Sequence, residues 1–146
     1  MRDGNPESAA RHAGVLAHFL ADSTCPAHAL IPADSALESM RERFAPPDKQ
    51  EMLLHPAIER SAPAFDLAGR APRKAGDTVE QAAEVLLEQC YAIVRRNREN
   101  LETMVKAVYA GDLATADRLR LEAARRGAEL VADAWYTALL MAERAR

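Results

Sequence analysis

The chain has 146 residues, enough for one ordinary domain, and 49% of them are hydrophobic although only 5% are aromatic. Its net charge of −3, from 19 basic and 22 acidic residues, lacks the basic surplus that duplex nucleic acid requires. The two cysteines, Cys25 and Cys90, cannot build a disulfide framework. The polar N-terminus has no signal-like apolar segment, and no apolar stretch approaches the roughly 18 residues of a membrane span. We therefore expect a soluble, cytoplasmic protein with no membrane span and no nucleic-acid partner.

The distribution of proline divides the chain near Gly76. All eight prolines lie between Pro6 and Pro72. A proline in a helix interior costs about 3 kcal/mol, so only the second half can form long helices. We expect an all-α fold, in which residues 1–75 form a proline-rich region with short helices and a linker. Residues 76–146 form a long antiparallel helical hairpin.

The first half predicts short helices with recognisable ends. We expect three helices and then a linker, at about residues 6–21, 35–44, 47–54 and 61–76. Asn5 is the predicted N-cap of the first helix, with Pro6 at its first position. Ser35 and Glu38 have capping-box spacing at the start of the second. The third helix should stop before Pro56, because the residue preceding a proline disfavours the α region.

The second half predicts two long helices. Asp77 and Glu80 form a capping box, and apolar residues then recur at intervals of three or four. One stripe, which we call the hairpin seam, consists of Leu86, Cys90, Ile93, Asn97, Leu101, Met104 and Val108. Gly111-Asp112 then supplies a helix stop and a new N-cap. Two helices of about 33 residues joined by so short a turn must pack antiparallel, over roughly 50 Å.

The second long helix has a broad apolar surface. We define its interaction face as Leu121, Ala124, Ala128, Val131, Trp135 and Leu139. A two-helix contact cannot bury so wide a surface, so something else must cover it. The cover could be the N-terminal helices, a second copy of the chain or another hydrophobic surface. We expect self-association into a homo-oligomer.

Asn97 is a polar interruption of the hairpin seam. A buried asparagine there could fix helix register or oligomeric state. Alternatively, the four-residue steps from Ile93 to Asn97 to Leu101 rotate the stripe and leave Asn97 solvated at its edge. We favour the solvated position.

No pattern predicts a catalytic, cofactor or metal site. His18, Cys25 and His28 lie within eleven residues, but a zinc site needs four ligands, or three and a water. The remaining histidines, His12 and His55, lie at no recognisable spacing from them. Cys90 falls in the middle of a helix, where a small packing side chain is expected rather than a nucleophile. We therefore expect neither an enzyme nor a cofactor.

Two arginine clusters lie at similar heights in the predicted hairpin. They consist of Arg95, Arg96 and Arg98 on one helix and of Arg118, Arg120, Arg125 and Arg126 on the other. Position 96 should oppose position 126. Because glutamates are interspersed, we expect a mixed, solvated charged surface rather than a phosphate-binding site.

The stretch from about Ala82 to the end resembles the phasin family, small helical proteins that coat polyhydroxyalkanoate storage granules in bacteria. The resemblance lies in the order of three segments, Asn-Arg-Glu-Asn-Leu-Glu (97–102), the Asp-containing turn at 110–116, and the run at 119–126 that begins the last helix. It implies a non-enzymatic protein that adsorbs on a polyester granule through an apolar helix face, located in the cytoplasm or on the granule surface. The alternative is a helical regulatory or adaptor module that dimerises and binds another protein.

Overall fold

The structure, a computed structural model, describes residues 5–30, 33–60 and 70–144, with only the backbone at positions 33 and 34. These residues form five α-helices and no strand: α1 (Pro6–Ser23), α2 (Ala33–Phe44), α3 (Leu54–Glu59), α4 (Val79–Ala110) and α5 (Leu113–Arg144). Two 3₁₀ helices, Pro26–His28 and Pro47–Lys49, lie between them. The predicted all-α class is confirmed. None of the described helices is long and apolar enough to cross a membrane.

The helix starts follow local capping chemistry. The Asn5 side chain accepts from the backbone amides of Glu7 and Ser8 at 3.0 and 3.2 Å, as predicted for the N-cap of α1. At α4 the predicted cap is wrong by one residue, because Thr78 and not Asp77 is the N-cap. Its hydroxyl accepts from the Gln81 amide at 3.2 Å, and the Gln81 side chain accepts from the Asp77 amide.

The other short helices differ from their predicted bounds. α2 begins at Ala33, so Ser35 lies inside the helix and is not its cap. The predicted third helix is wrong, because only 47–49 are helical there and α3 follows at Leu54–Glu59. Pro56 is the third residue of α3. It is tolerated because amides in the first turn of a helix have no partner within the helix.

The hairpin forms as predicted. α4 and α5 have 32 residues each and pack antiparallel. Gly111 ends α4 with a φ of 71°, a left-handed conformation that glycine adopts without a steric cost. The Asp112 carboxylate then accepts from the Thr115 amide at 3.0 Å and caps α5.

One core joins the two halves of the chain. Its buried members come from both regions, namely Ala27, Leu37, Leu54, Ile58, Leu101, Met104, Val105, Tyr109 and Leu119. The N-terminal elements therefore cover one side of the hairpin. This is one of the three predicted ways of covering its apolar surface. The division of the chain into regions 1–75 and 76–146 stays a prediction, but the core itself is not divided there.

The last part of the predicted linker is fixed on α5. The Arg70 guanidinium binds the buried Asp133 carboxylate through two hydrogen bonds of 2.9 and 2.6 Å. The Arg73 amide donates to the same carboxylate at 2.7 Å, and the Ala75 amide donates to the Thr137 hydroxyl at 2.9 Å. Residues 70–75 are therefore anchored by specific polar contacts. Residues 61–69 of the predicted linker lie outside the described residues.

Candidate functional site

The interaction face lies beside the helix–helix contact, not within it. Ala124, Ala128, Val131 and Trp135 line a cavity of about 630 Å³ between α1 and α5, which we call the α1–α5 groove. Leu121 is half-buried outside that lining, and Leu139 is 64% exposed. The sequence-predicted face is therefore assembled on one side of α5, and part of it faces α1.

The α1 side of the groove is formed by small residues. Ala17 and Ala21 face α5, and the groove closes at one end against Thr24 and Ile58. The Trp135 indole donates to the Ala13 carbonyl at 3.1 Å and attaches the middle of α1 to α5. Small side chains leave space between the two helices, so the groove is mainly apolar, with Glu59, Arg60 and Arg120 at its polar edge.

The outer side of α1 is also apolar. Val15, Leu16 and Phe19 are 50%, 40% and 63% exposed, and no residue of this helix is buried apart from its C-cap, Thr24. Amphipathic helices normally pack against the protein core through their large apolar side chains, which are then buried. The α1 residues that line the groove are instead alanines, Ala17 and Ala21, and the three larger side chains named above remain available for another surface.

The hairpin seam is only partly buried. Ile93, Asn97, Leu101 and Met104 are buried, whereas Leu86, Cys90 and Val108 are half-buried. The favoured solvated position of Asn97 is wrong, since it is 5% exposed and its side-chain amide donates to the Thr24 carbonyl at 2.6 Å. Its partner belongs to the turn after α1, and a sequence does not show which distant segment will approach a seam position.

A cluster of potential metal ligands lies where this turn meets α3. The Cys25 thiol, the His28 imidazole and the Glu59 carboxylate have ligand atoms within 4.8 Å of one another. Nε2 of His28 lies 3.1 Å from Oε1 of Glu59, and the Cys25 sulfur lies 3.8 Å from the same oxygen. His55 joins them, with its Nε2 at 3.1 Å from Glu59 Oε1 and its ring centroid 4.8 Å from that of His28.

The electrostatics of the cluster favour an ionised carboxylate and a protonated thiol. Partial burial raises the pKa of Glu59, but the hydrogen bonds from His55 and His28 outweigh it and leave that pKa below its usual value. Burial, and to a smaller extent the charge of Glu59, raises the pKa of the Cys25 thiol. Without a cation, therefore, Cys25 contributes a neutral S–H group.

Sequence spacing missed half of this cluster. Of the three residues first considered, Cys25 and His28 come together, whereas His18 lies on exposed α1 and contacts the Phe19 ring. Glu59 and His55 were not connected with them, because α3 is more than 25 residues further along the chain. The four-residue step from His55 to Glu59 places both on one side of a helix and was the available signal.

The arginine clusters have defined partners in several places. Oε1 of Glu122 lies 3.9 Å from Nε of Arg96 and 2.7 Å from Nη2 of Arg126. Positions 96 and 126 therefore lie near each other along the hairpin, as predicted. Arg98, by contrast, donates to the Ala29 carbonyl at 2.7 Å, and Arg120 donates to the Ile58 carbonyl at 2.9 Å. The expectation of a solvated surface is therefore wrong for Arg120, which is only 10% exposed and binds carbonyls at the end of α3.

Cys90 has a different environment from Cys25. It is half-buried in the middle of α4, and burial raises the pKa of its thiol. It lines a second cavity of about 920 Å³ together with Leu87 and Tyr91. A raised pKa is the opposite of what a thiolate nucleophile needs.

Comparisons of the chain with protein-family models, with curated proteins and with solved structures find no match.

Proposed function

We propose that this chain is a non-enzymatic association protein that binds a hydrophobic surface through the interaction face of α5 and the outer side of α1. The observation that supports it is the exposure of large apolar side chains on both helices that border the α1–α5 groove. Leu139 is 64% and Trp135 44% exposed on α5, and Phe19 is 63% exposed on α1. Apolar area of this kind favours contact with a hydrophobic partner.

The surface that we propose is a polyester granule. The support is the resemblance of residues from Ala82 onward to phasins, together with the position of the exposed residues on the outside of the fold. The buried part of the hairpin seam is unavailable for such a contact, because Leu101 and Met104 already belong to the core shared with the N-terminal elements. Adsorption therefore uses the outer side of the helices and does not require the hairpin to open.

The physical test is co-sedimentation with purified polyhydroxyalkanoate granules at low and high salt. Apolar adsorption yields about 25 cal/mol per Å² of buried apolar area and depends weakly on ionic strength. Binding through exposed arginines would weaken strongly, because the Debye length falls to about 3 Å at 1 M salt. We expect the bound fraction to be nearly the same at both salt concentrations.

A matched pair of variants tests the location of the contact. Leu139→Ser removes an exposed leucine of the interaction face, whereas Leu113→Ser removes a 61% exposed leucine at the opposite end of the same helix. We expect the first change to reduce granule binding and the second to leave it unchanged. Because neither side chain is buried, both variants should retain the helicity of the wild type, which circular dichroism checks. Equal binding by the two variants contradicts this contact.

The adaptor hypothesis gives a different result in the same assay. A regulatory module that dimerises and binds another protein would not sediment with the granules and would remain in the supernatant. That outcome contradicts the granule proposal. It favours the adaptor hypothesis, in which the α1–α5 groove receives a helix of the partner protein. A defined partner whose binding is lost in Leu139→Ser and retained in Leu113→Ser would then support the adaptor function.

A further inference from the structure

The turn that contains the 3₁₀ helix Pro26–His28 lies against α3, and the contact brings four side chains of metal-binding chemistry together. Cys25 and His28 come from the turn, and His55 and Glu59 come from one side of α3. From these contacts we propose that Cys25, His28 and Glu59 form a binding site for one divalent transition metal of the zinc class, with His55 as the fourth ligand.

The distances suit such an ion. Zinc binds sulfur at about 2.3 Å and nitrogen or oxygen at about 2.0–2.2 Å, so neighbouring ligand atoms around a tetrahedral ion are roughly 3.3 to 3.6 Å apart. Both imidazole Nε2 atoms lie 3.1 Å from Glu59 Oε1, and the Cys25 sulfur lies 3.8 Å from it. The Cys25 sulfur and a ring nitrogen of His28 also lie within 4.8 Å of each other. His55 is not one of that group of three, so its imidazole has to rotate towards the ion to complete the coordination shell.

The backbone on both sides of the site is held by the core. Ala27 and Ala29, which flank His28, are each 1% exposed. On α3, Leu54 and Ile58 are 3% and 1% exposed, and each directly precedes one of the ligands His55 and Glu59. A site on fixed elements binds metal with little ordering cost.

Cys25 distinguishes a metal site from an ordinary ion pair. Glu59 with two histidines forms a hydrogen-bonded cluster by itself, which is an ion pair only when a histidine is protonated, and Asp22 adds a second carboxylate at 3.4 Å from His28. A neutral thiol at 3.8 Å from the carboxylate adds little to such an ion pair. As a thiolate it is instead a strong ligand for zinc, and sulfur with imidazole and carboxylate selects zinc-class ions over magnesium or calcium. On binding, the Cys25 thiol releases its proton to solvent and a sulfur–metal bond forms.

The proposed ion joins the first part of the chain to α3. The helices concerned are short, and an ion that binds the folded site raises stability by mass action. It also lies at the edge of the α1–α5 groove, which Cys25 and Glu59 line. The site is independent of the proposed granule binding, so either can fail without the other.

The first experiment is titration of the full chain with Co²⁺, followed by its displacement with Zn²⁺. We expect one equivalent to bind, with the charge-transfer absorption of a cobalt–thiolate bond, and a rise in melting temperature on addition of Zn²⁺. Cys25→Ala should abolish the thiolate band, and Glu59→Gln should weaken binding at least tenfold. The matched controls Cys90→Ala and His18→Gln should bind like the wild type. Absence of the band in the wild type, or its persistence in Cys25→Ala, overturns the proposal.

A second measurement needs no variant at Cys25. In the wild-type chain, Zn²⁺ should slow alkylation of Cys25 by iodoacetamide while Cys90 continues to react as before, which peptide mass spectrometry resolves. Equal rates at Cys25 with and without Zn²⁺ overturn the proposal even if the substitutions prevent folding.

Discussion

The side-chain amide of Asn97 donates a hydrogen bond of 2.6 Å to the backbone carbonyl of Thr24, and both residues are buried. This bond joins the middle of α4 to the end of α1 across 73 positions of sequence. Asn97 therefore connects two regions of one chain. Its hydrogen bond lies within one chain, whereas a seam asparagine that fixes register bonds to a paired helix.

Replacing Asn97 by Ile should destabilise the protein. The substitution leaves the buried Thr24 carbonyl without this donor, at a cost of about 1–3 kcal/mol in the free energy of unfolding. Urea denaturation measures the change. The control is Asn100→Ile on the same helix, where the side chain is half-buried. A higher stability of Asn97→Ile would show that apolar packing at this position outweighs the hydrogen bond.

Gly127→Ala should destabilise the protein although alanine is the better helix former by about 1 kcal/mol. A β-carbon at Gly127 would lie 2.5 Å from the Thr24 hydroxyl oxygen. That hydroxyl cannot move easily, because it donates to the carbonyls of Leu20 and Ala21. We expect a loss of about 1–3 kcal/mol, the usual cost of overpacking, as measured by thermal unfolding.

Gly14→Ala is the matched control for this change. Gly14 also lies inside a helix, but a β-carbon there would have no neighbour within 4 Å. Helix propensity alone then applies, and stability should rise by about 0.5–1 kcal/mol. Equal effects of the two substitutions would mean that the close approach of Thr24 to Gly127 does not constrain the fold.

Local signals predicted the helices better than their contacts. The Gly111-Asp112 turn and the three- and four-residue spacing identified both long helices, since these features depend on neighbouring residues. The contacts of Asn97 with Thr24, of Asp133 with Arg70, and of Cys25 with Glu59 were not predicted. Each joins positions more than 30 residues apart. Their formation depends on how short helices dock on the hairpin, which periodicity does not specify.

Asp133 should make stability depend on acid pH. Burial raises its pKa, but the hydrogen bonds from Arg70 and the Arg73 amide outweigh it, so that its pKa lies below the usual value. The stabilisation is therefore present above the unfolded-state pKa of about 3.9 and is lost as pH falls through the lower, folded-state pKa. We expect the wild-type free energy of unfolding to decrease below about pH 4.

Asp133→Asn tests this relationship directly. At neutral pH the variant should lose about 1.5–3 kcal/mol, the range for hydrogen bonds to a charged group, and its stability should vary less below pH 4. The control Asp48→Asn changes an exposed carboxylate and should alter stability by less than about 0.5 kcal/mol. If Asp133→Asn retains the full acid dependence, other carboxylates account for it.

Tyr109→Phe should stabilise the protein. Tyr109 is 5% exposed, and among the described residues its hydroxyl oxygen has no hydrogen-bond partner. An unsatisfied buried polar group costs about 1–3 kcal/mol, so its removal with retention of the ring should raise the free energy of unfolding by about 1 kcal/mol.

Burial also raises the pKa of the Tyr109 phenol above its usual value. The pH-dependent part of the stability that comes from this raised pKa is therefore fully present below the unfolded-state pKa of about 10. It is lost as pH rises beyond that value. The variant should accordingly lose less stability above pH 10 than the wild type, whereas Tyr136→Phe, at a 38% exposed position, should change neither quantity. A lower stability of Tyr109→Phe would show that the hydroxyl is satisfied, for instance by a buried water molecule.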